Sequence, residues 1–421
     1  MYNRIELFLS DFNIIYDLQF GFRKKHSTEH ALLSIVDEIR KNLDKGIFSC
    51  GVFIDLEKAF DTVNHNILLS KLDHYGIREN ALAWIQSYLY NRSQSVCLNG
   101  TSSRNEVISC GVPQGSILGP LFFIIYINDM HNAVKSSMIH HFADDTNLLF
   151  SSEDPKEMAK ILNKDLSLLF DWLCANRLSI NVSKTEFIVF RPPKRPFKER
   201  ITLKLNGIKI FESKKIKYLG VIMDTRLRWN HHINELIKKL NRTVGMIYKI
   251  RSDCTRKVLL SLYHSIFHSH LSYGISVWGN SSCNNISRVS ILQKKMIRAV
   301  TFSDFHQHTA PLLKELNVLR VNDLFNYKTA SLMWDLDHNT LPNSLATLFT
   351  WRDDIHNRNL RDNDKKKLYT AHRFHNKYGF ESFAHKGASL LNQIKDLALY
   401  ESCSTKKMFL KKYKMSILNT Y

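Results

Sequence analysis

Asp144 and Asp145 stand side by side in HFADDTNLLF, residues 141–150, among Phe142, Ala143, Leu148, Leu149 and Phe150. An apolar run of this kind reads as strand, and two adjacent carboxylates inside it repel each other and resist desolvation. A fold that keeps them together has to place them at a hairpin tip and offer them a cation. Residues Met138 to Phe150 therefore read as a hairpin whose loop presents the pair. A partner is found upstream, where CGVFIDL is a short buried-strand candidate ending at Asp55. One antiparallel sheet could then bring Asp55, Asp144 and Asp145 together. Converging hard oxygen ligands select Mg²⁺, which shares its sites with phosphates. Two such ions about 4 Å apart activate an attacking hydroxyl and steady a leaving group in phosphoryl transfer.

Charge points the same way. Residues 1–150 carry 13 basic and 16 acidic side chains, leaving 46 basic and 23 acidic beyond them, so the net charge of +20 is concentrated behind the paired aspartates. A surface of that sign suits a polyanion, with nucleic acid the default reading. The seven cysteines form no C-x-x-C pair and no zinc spacing, which argues for a reducing compartment. The longest apolar stretch, near Leu121 to Ile127, is far short of the roughly 20 residues a membrane span needs. The expected location is intracellular, in nucleus or cytoplasm, with no membrane partner.

The remaining pattern mixes helices with antiparallel hairpins, an α+β layout. Helical spacing is expected over residues 31–39, after a cap at Ser27 or Thr28, and over 64–75, 79–90, 116–134, 158–173, 230–250 and 255–272, with hairpins near Gly100, Asn206-Gly207 and KYLGVIMD.

Six ordered blocks carry a family resemblance: QFGFRKKHSTEHAL, VFIDLEKAFDTVNH, GVPQGSILGPLFFIIYINDM, FADD, LSINVSKTEFIVF and YLGVIMDTRLRW. Together they resemble the reverse transcriptases of jockey-type non-LTR retrotransposons over about residues 1–300. That resemblance implies a right-hand polymerase: partial fingers (1–50), a palm bearing the carboxylates (51–192), a primer-grip hairpin with a helical thumb (193–300), and a basic helical C-terminal region (301–421). It implies two Mg²⁺ ions, or Mn²⁺, held by Asp55, the Leu56 carbonyl and Asp144, with Asp145 in support. By the same resemblance, Lys184 protonates the departing pyrophosphate. Phe60 gates against a 2′-hydroxyl, and Gln114 and Gly115 contact the incoming nucleotide. Arg23 and Lys24 meet its triphosphate, while Tyr218, Leu219 and Gly220 grip the primer.

The activity implied is RNA-directed DNA polymerisation with an RNA template, a DNA primer and deoxynucleoside triphosphates. The resemblance begins inside the fingers, so the chain reads as N-terminally truncated and the nicking endonuclease is expected to come from elsewhere. Two rival readings are an inactive nucleic-acid-binding remnant and a group II intron maturase-like protein, the latter disfavoured by the wording of EKAFDTVNH and VPQGSILGP.

Overall fold

The computed structural model describes residues 1–197, 199–355, 367–370, 374–396, 400 and 402–421. Its contacts divide the chain into two compact units. One comprises residues 1–27, 48–189 and 197–213, and the other residues 28–47, 190–196 and 214–421. The mixed helix and sheet content is the α+β class expected from sequence.

The first unit is built on a five-stranded sheet. Its strands are β1 (Phe48–Ile54), β2 (Met138–Phe142), β3 (Asp145–Ser152), β4 (Glu186–Phe190) and β5 (Phe211–Glu212), in the order β5-β4-β1-β3-β2. Strands β1 and β3 pair antiparallel from Phe48↔Ser152 to Ile54↔Thr146. Strands β2 and β3 form a hairpin from Met138↔Leu149 to Phe142↔Asp145. Strand β1 is a nearly continuous apolar run, and β3 carries Leu148, Leu149 and Phe150 at its centre, because the sheet is covered. The helix Pro155–Ala175 buries Met158, Leu162, Leu166, Leu169 and Leu173, a single stripe at helical spacing. It starts cleanly because Asp154 caps the Lys156 amide and Pro155 fills the first turn. Leu118–Tyr126 is apolar all round, so every residue except Pro120 is buried. The helix expected over 116–134 thus stops at Tyr126 and continues as a 3₁₀ turn, Asn128–Asn132.

The second unit is mainly helical. The helix Asn230–Ile250 buries Ile233, Leu236, Leu240, Val244 and Ile247. Its opposite face leaves Lys238, Lys239, Arg242 and Lys249 exposed, the amphipathic pattern read from sequence. The helix expected over 255–272 is interrupted by a π-helical turn, Tyr263–His268, around the buried Tyr263 and Phe267.

The units do not follow the four sequence segments. The helix Thr28–Asp44, expected with the fingers, belongs to the second unit because its polar residues are bonded to the C-terminal region. Asp37, fully enclosed, accepts from the amides of Phe383 and Ala384 at the start of the helix Phe383–Asp396. Arg40 donates to the carbonyls of Glu381 (2.7 Å) and Val277 (3.1 Å) and to Asn280 Oδ1 (3.0 Å). Asp44 accepts from the Asn376 amide at 2.8 Å. Residues 301–421 are likewise no separate module. Gln293, in the helix Cys283–Thr301, donates to the Leu319 carbonyl at 2.8 Å and accepts from the Val321 amide at 3.1 Å, which ties the residues before 301 to those after it.

Candidate active site

Strand β1 ends at Ile54, opposite Thr146, so the next residue, Asp55, leaves the sheet beside Asp145. The turn of the β2–β3 hairpin is Ala143-Asp144, closed by the pair Phe142↔Asp145. Ala143 has φ +57°, a left-handed backbone that few non-glycine residues adopt, and it tips Asp144 into the exposed bend. All three carboxylates therefore lie at one end of two adjacent strands. Their electrostatics show the crowding. The Asp145 carboxyl is pushed up to about 6, first by desolvation and then by the charges of Asp144 and Asp55.

Lys184 approaches the same place. It follows the short pair formed by Leu56-Glu57 with Ser179-Ile180, and its turn is held by the Asn181 carbonyl. Its ammonium lies 3.6 Å from Asp55 Oδ2, with both side chains well exposed. Screening by water makes this contact worth little to stability. It does place a proton-bearing group next to a carboxylate end of the sheet.

The GVPQGS loop is fixed to the segment that follows Asp55. The Gly111 amide donates to the Val63 carbonyl at 2.7 Å and the Val112 amide to Phe60 at 2.9 Å. Gln114 Nε2 donates to Asp61 Oδ1 at 2.9 Å. Asp61 thus orients the loop amide. Phe60 stacks on Phe123 with centroids 4.4 Å apart and meets Phe22 edge-on at 6.2 Å. Gly115 has φ +81° and open space around its α-carbon.

The basic residues before this sheet are engaged locally. Arg23 Nη1 donates to the carbonyls of Tyr16 (2.9 Å) and Gln19 (3.1 Å), and burial lowers its pKa. Lys24 pairs with Glu6 at 2.6 Å. A triphosphate role would require these groups to exchange partners. In the second unit, Tyr218 is buried, while Leu219 (φ +42°) and Gly220 (φ +78°) form the two-residue turn between the strands Lys215–Tyr218 and Val221–Asp224. Tyr273 donates to the Leu219 carbonyl at 2.7 Å, and a Cβ on Gly220 would stand 3.0 Å from its ring.

Among the described residues, no three His, Cys, Asp or Glu side chains gather closely enough to cage an ion. Mg²⁺ is held by one or two carboxylates together with waters and substrate phosphates. The donor set is also right: hard carboxylate oxygens whose mutual repulsion, visible at Asp145, a dication relieves. No described helix is long and apolar enough to cross a membrane.

Sequence reasoning passed over Gln19 and Gly21. Gln19 is buried, and its Oε1 accepts from the amides of Gly21 (2.8 Å) and Ala143 (3.2 Å). The only signal was the apolar, glycine-containing QFGF, which does not reveal a partner more than a hundred residues away.

The chain is 28% identical over 349 residues to the probable RNA-directed DNA polymerase from transposon BS of Drosophila melanogaster, covering 78% of this chain and 37% of the relative. It is 29% identical over 342 residues to the RNA-directed DNA polymerase from mobile element jockey of Drosophila funebris, covering 78% and 36%. The chain thus spans little more than a third of the length of these curated relatives. Among solved structures, apo telomerase from Candida Tropicalis aligns with 98% of this chain and 61% of its own, at a TM-score of 0.43 and 11% identity. The family described as "Reverse transcriptase (RNA-dependent DNA polymerase)" matches residues 1–223. That match takes in more than half of the chain and every carboxylate at the end of the sheet, and the chain belongs to the reverse transcriptase family.

Proposed function

We propose that the chain is an RNA-directed DNA polymerase of a mobile element, joining deoxynucleoside triphosphates to the 3′-hydroxyl of a DNA primer on an RNA template. The observation that carries this reading is the shared position of Asp55, Asp144 and Asp145 at one end of β1 and β3, with charges close enough to perturb Asp145. Asp55 and Asp144, with the Leu56 carbonyl, would hold Mg²⁺, or Mn²⁺ in its place, and Asp145 supports them. Two bound divalent cations supply an activated hydroxyl and charge neutralisation at the leaving pyrophosphate.

The chain's own side chains do the rest. Lys184, beside Asp55, is the proton donor to the pyrophosphate as it leaves. Phe60, braced by Phe123, closes the sugar side against a 2′-hydroxyl. Gln114, oriented by Asp61, and the open Gly115 meet the nucleotide. The turn of Tyr218, Leu219 and Gly220 supports the primer end, and the exposed lysines and arginine of Asn230–Ile250 follow duplex phosphates. The work would be done inside the cell, in nucleus or cytoplasm.

The test is extension of a DNA primer on an RNA template by the wild-type chain and by the double variant Asp144→Asn, Asp145→Asn. Mg²⁺-dependent incorporation that the double variant abolishes supports the reading. Incorporation that survives the substitution removes these residues from the site, and RNA binding with no extension by the wild type makes the chain a binding remnant.

A further inference from the structure

We propose that Gln19 is a positioning residue: its side-chain carbonyl holds the Ala143 amide and so fixes where the hairpin presents Asp144 and Asp145. The proposal rests on the polymerase reading for what those carboxylates do. It rests on its own geometry for where they stand.

Strand β2 is an edge of the sheet, and an edge strand leaves backbone groups without partners. Here residues 18–21 cover it. The His141 amide donates to the Leu18 carbonyl at 2.9 Å and the Phe20 amide to the His141 carbonyl at 2.8 Å, a parallel bridge centred on Gln19 and His141. Beyond His141 the strand gives way to the turn, and the ladder can no longer satisfy the amide of Ala143. That residue is 4% exposed, so water does not serve it either. Gln19 Oε1 takes over at 3.2 Å while also accepting from the Gly21 amide at 2.8 Å.

The orientation of the Gln19 amide follows from its neighbours. Both are N–H donors, so a flipped amide would set donor against donor. Its Nε2 is buried with no hydrogen-bond partner among the described residues, so only the oxygen end contributes bonds. A buried orphan of this kind is tolerated where the remaining bonds are worth more than the loss.

The anchor itself is rigid. Asn128 accepts from the Tyr16 amide at 2.8 Å and donates to the Ile14 carbonyl at 2.8 Å, and Arg23 ties Tyr16 to Gln19. Gly21 completes the fit, because a Cβ there would stand 2.3 Å from the Ala143 nitrogen. The turn is thus held on one side by a hydrogen bond and on the other by backbone in contact with backbone. Since Ala143 keeps a left-handed φ, the turn needs such external support to persist. Carboxylates that must share a cation tolerate little displacement, so the tether acts on metal affinity.

The full chain is tested as wild type, Gln19→Leu, Gln19→Asn and Gln19→Glu. Leucine removes the acceptor, asparagine withdraws it by one methylene, and glutamate keeps an oxygen for the same two N–H groups. Mn²⁺ binding is titrated by electron paramagnetic resonance, with RNA binding and the thermal midpoint as controls, and the Mg²⁺ concentration for half-maximal primer extension is measured alongside. The Leu and Asn variants are expected to weaken Mn²⁺ binding and raise the half-maximal Mg²⁺ roughly ten-fold, with RNA affinity unchanged. The Glu variant is expected to return both to near wild-type values. Wild-type Mn²⁺ affinity in a folded Leu or Asn variant overturns the proposal, as does a Glu variant as weak as the leucine. A wild-type chain that binds Mn²⁺ but extends no primer defeats the polymerase reading, and the Mn²⁺ titrations still decide the role of Gln19.

Discussion

At the scale of single residues, the site is a set of groups held in unfavourable states by their surroundings. Asp145 is crowded by like charge, Ala143 sits in a strained turn, and His140 and His141 beneath the turn are buried as neutral imidazoles. Burial lowers His140 to about 4, and burial with the neighbouring His140 and His131 lowers His141 to about 3. Both nitrogens of His140 are without hydrogen-bond partners among the described residues. An imidazole that protonates only after unfolding makes the unfolded chain bind more protons, so stability is intact above pH 6.5 and falls as the pH drops toward 4. Chemical denaturation at pH 7 and pH 5 should show a loss on the order of 1–2 kcal/mol for each of the two histidines. In His140→Leu, the drop between the two pH values should shrink by roughly 1–2 kcal/mol. An unchanged drop in that variant would assign the pH dependence elsewhere.

At the scale of elements, strong periodicity made most helices and hairpins legible. The stripe from Met158 to Leu173 and the alternation around Asn206-Gly207 could hardly be read another way, and the carboxylate hairpin followed from apolar flanks on both sides of an Asp pair. Two things were illegible for physical reasons. The break at Tyr263–His268 depends on how Tyr263 and Phe267 pack, which local spacing does not record. The bonding of Thr28–Asp44 to residues 376–384 depends on buried polar pairs, and Asp37 and Arg40 look like surface charges when only their own helix is considered. Gln19 escaped for the same reason, since its partner is remote in sequence. Arg40 gives the element-scale prediction. It is 1% exposed, with three hydrogen bonds and the ring of Trp229 5.9 Å away, and burial lowers its pKa while Asp37 opposes the shift. Arg40→Ala leaves those acceptors and the Asp37 carboxylate uncompensated and should cost about 3–5 kcal/mol in urea denaturation. A cost below about 1 kcal/mol would mean that water replaces the guanidinium there.

At the scale of the whole molecule, charge is divided along the chain: a near-neutral first 150 residues carry Asp55, Asp144 and Asp145, and a strongly basic remainder follows. Acids concentrated at one end of a sheet suit metal, and a basic remainder suits phosphate, so affinity for nucleic acid should be strongly salt-dependent. Raising salt from about 50 to 200 mM should weaken binding to an RNA–DNA hybrid by at least about 100-fold. Affinity indifferent to salt would remove the electrostatic reading of the basic helices. The central claim is that residues 55 and 144, far apart in sequence, act as one catalytic unit. Its most direct measurement is single-nucleotide incorporation on a primed RNA template by the wild type, Asp55→Asn, Asp144→Asn and the Asp55→Asn, Asp144→Asn pair. Each single variant should lose at least about 1,000-fold and the pair should lose scarcely more, because groups that share one task fail together. Incorporation by Asp55→Asn at the wild-type rate would contradict the account.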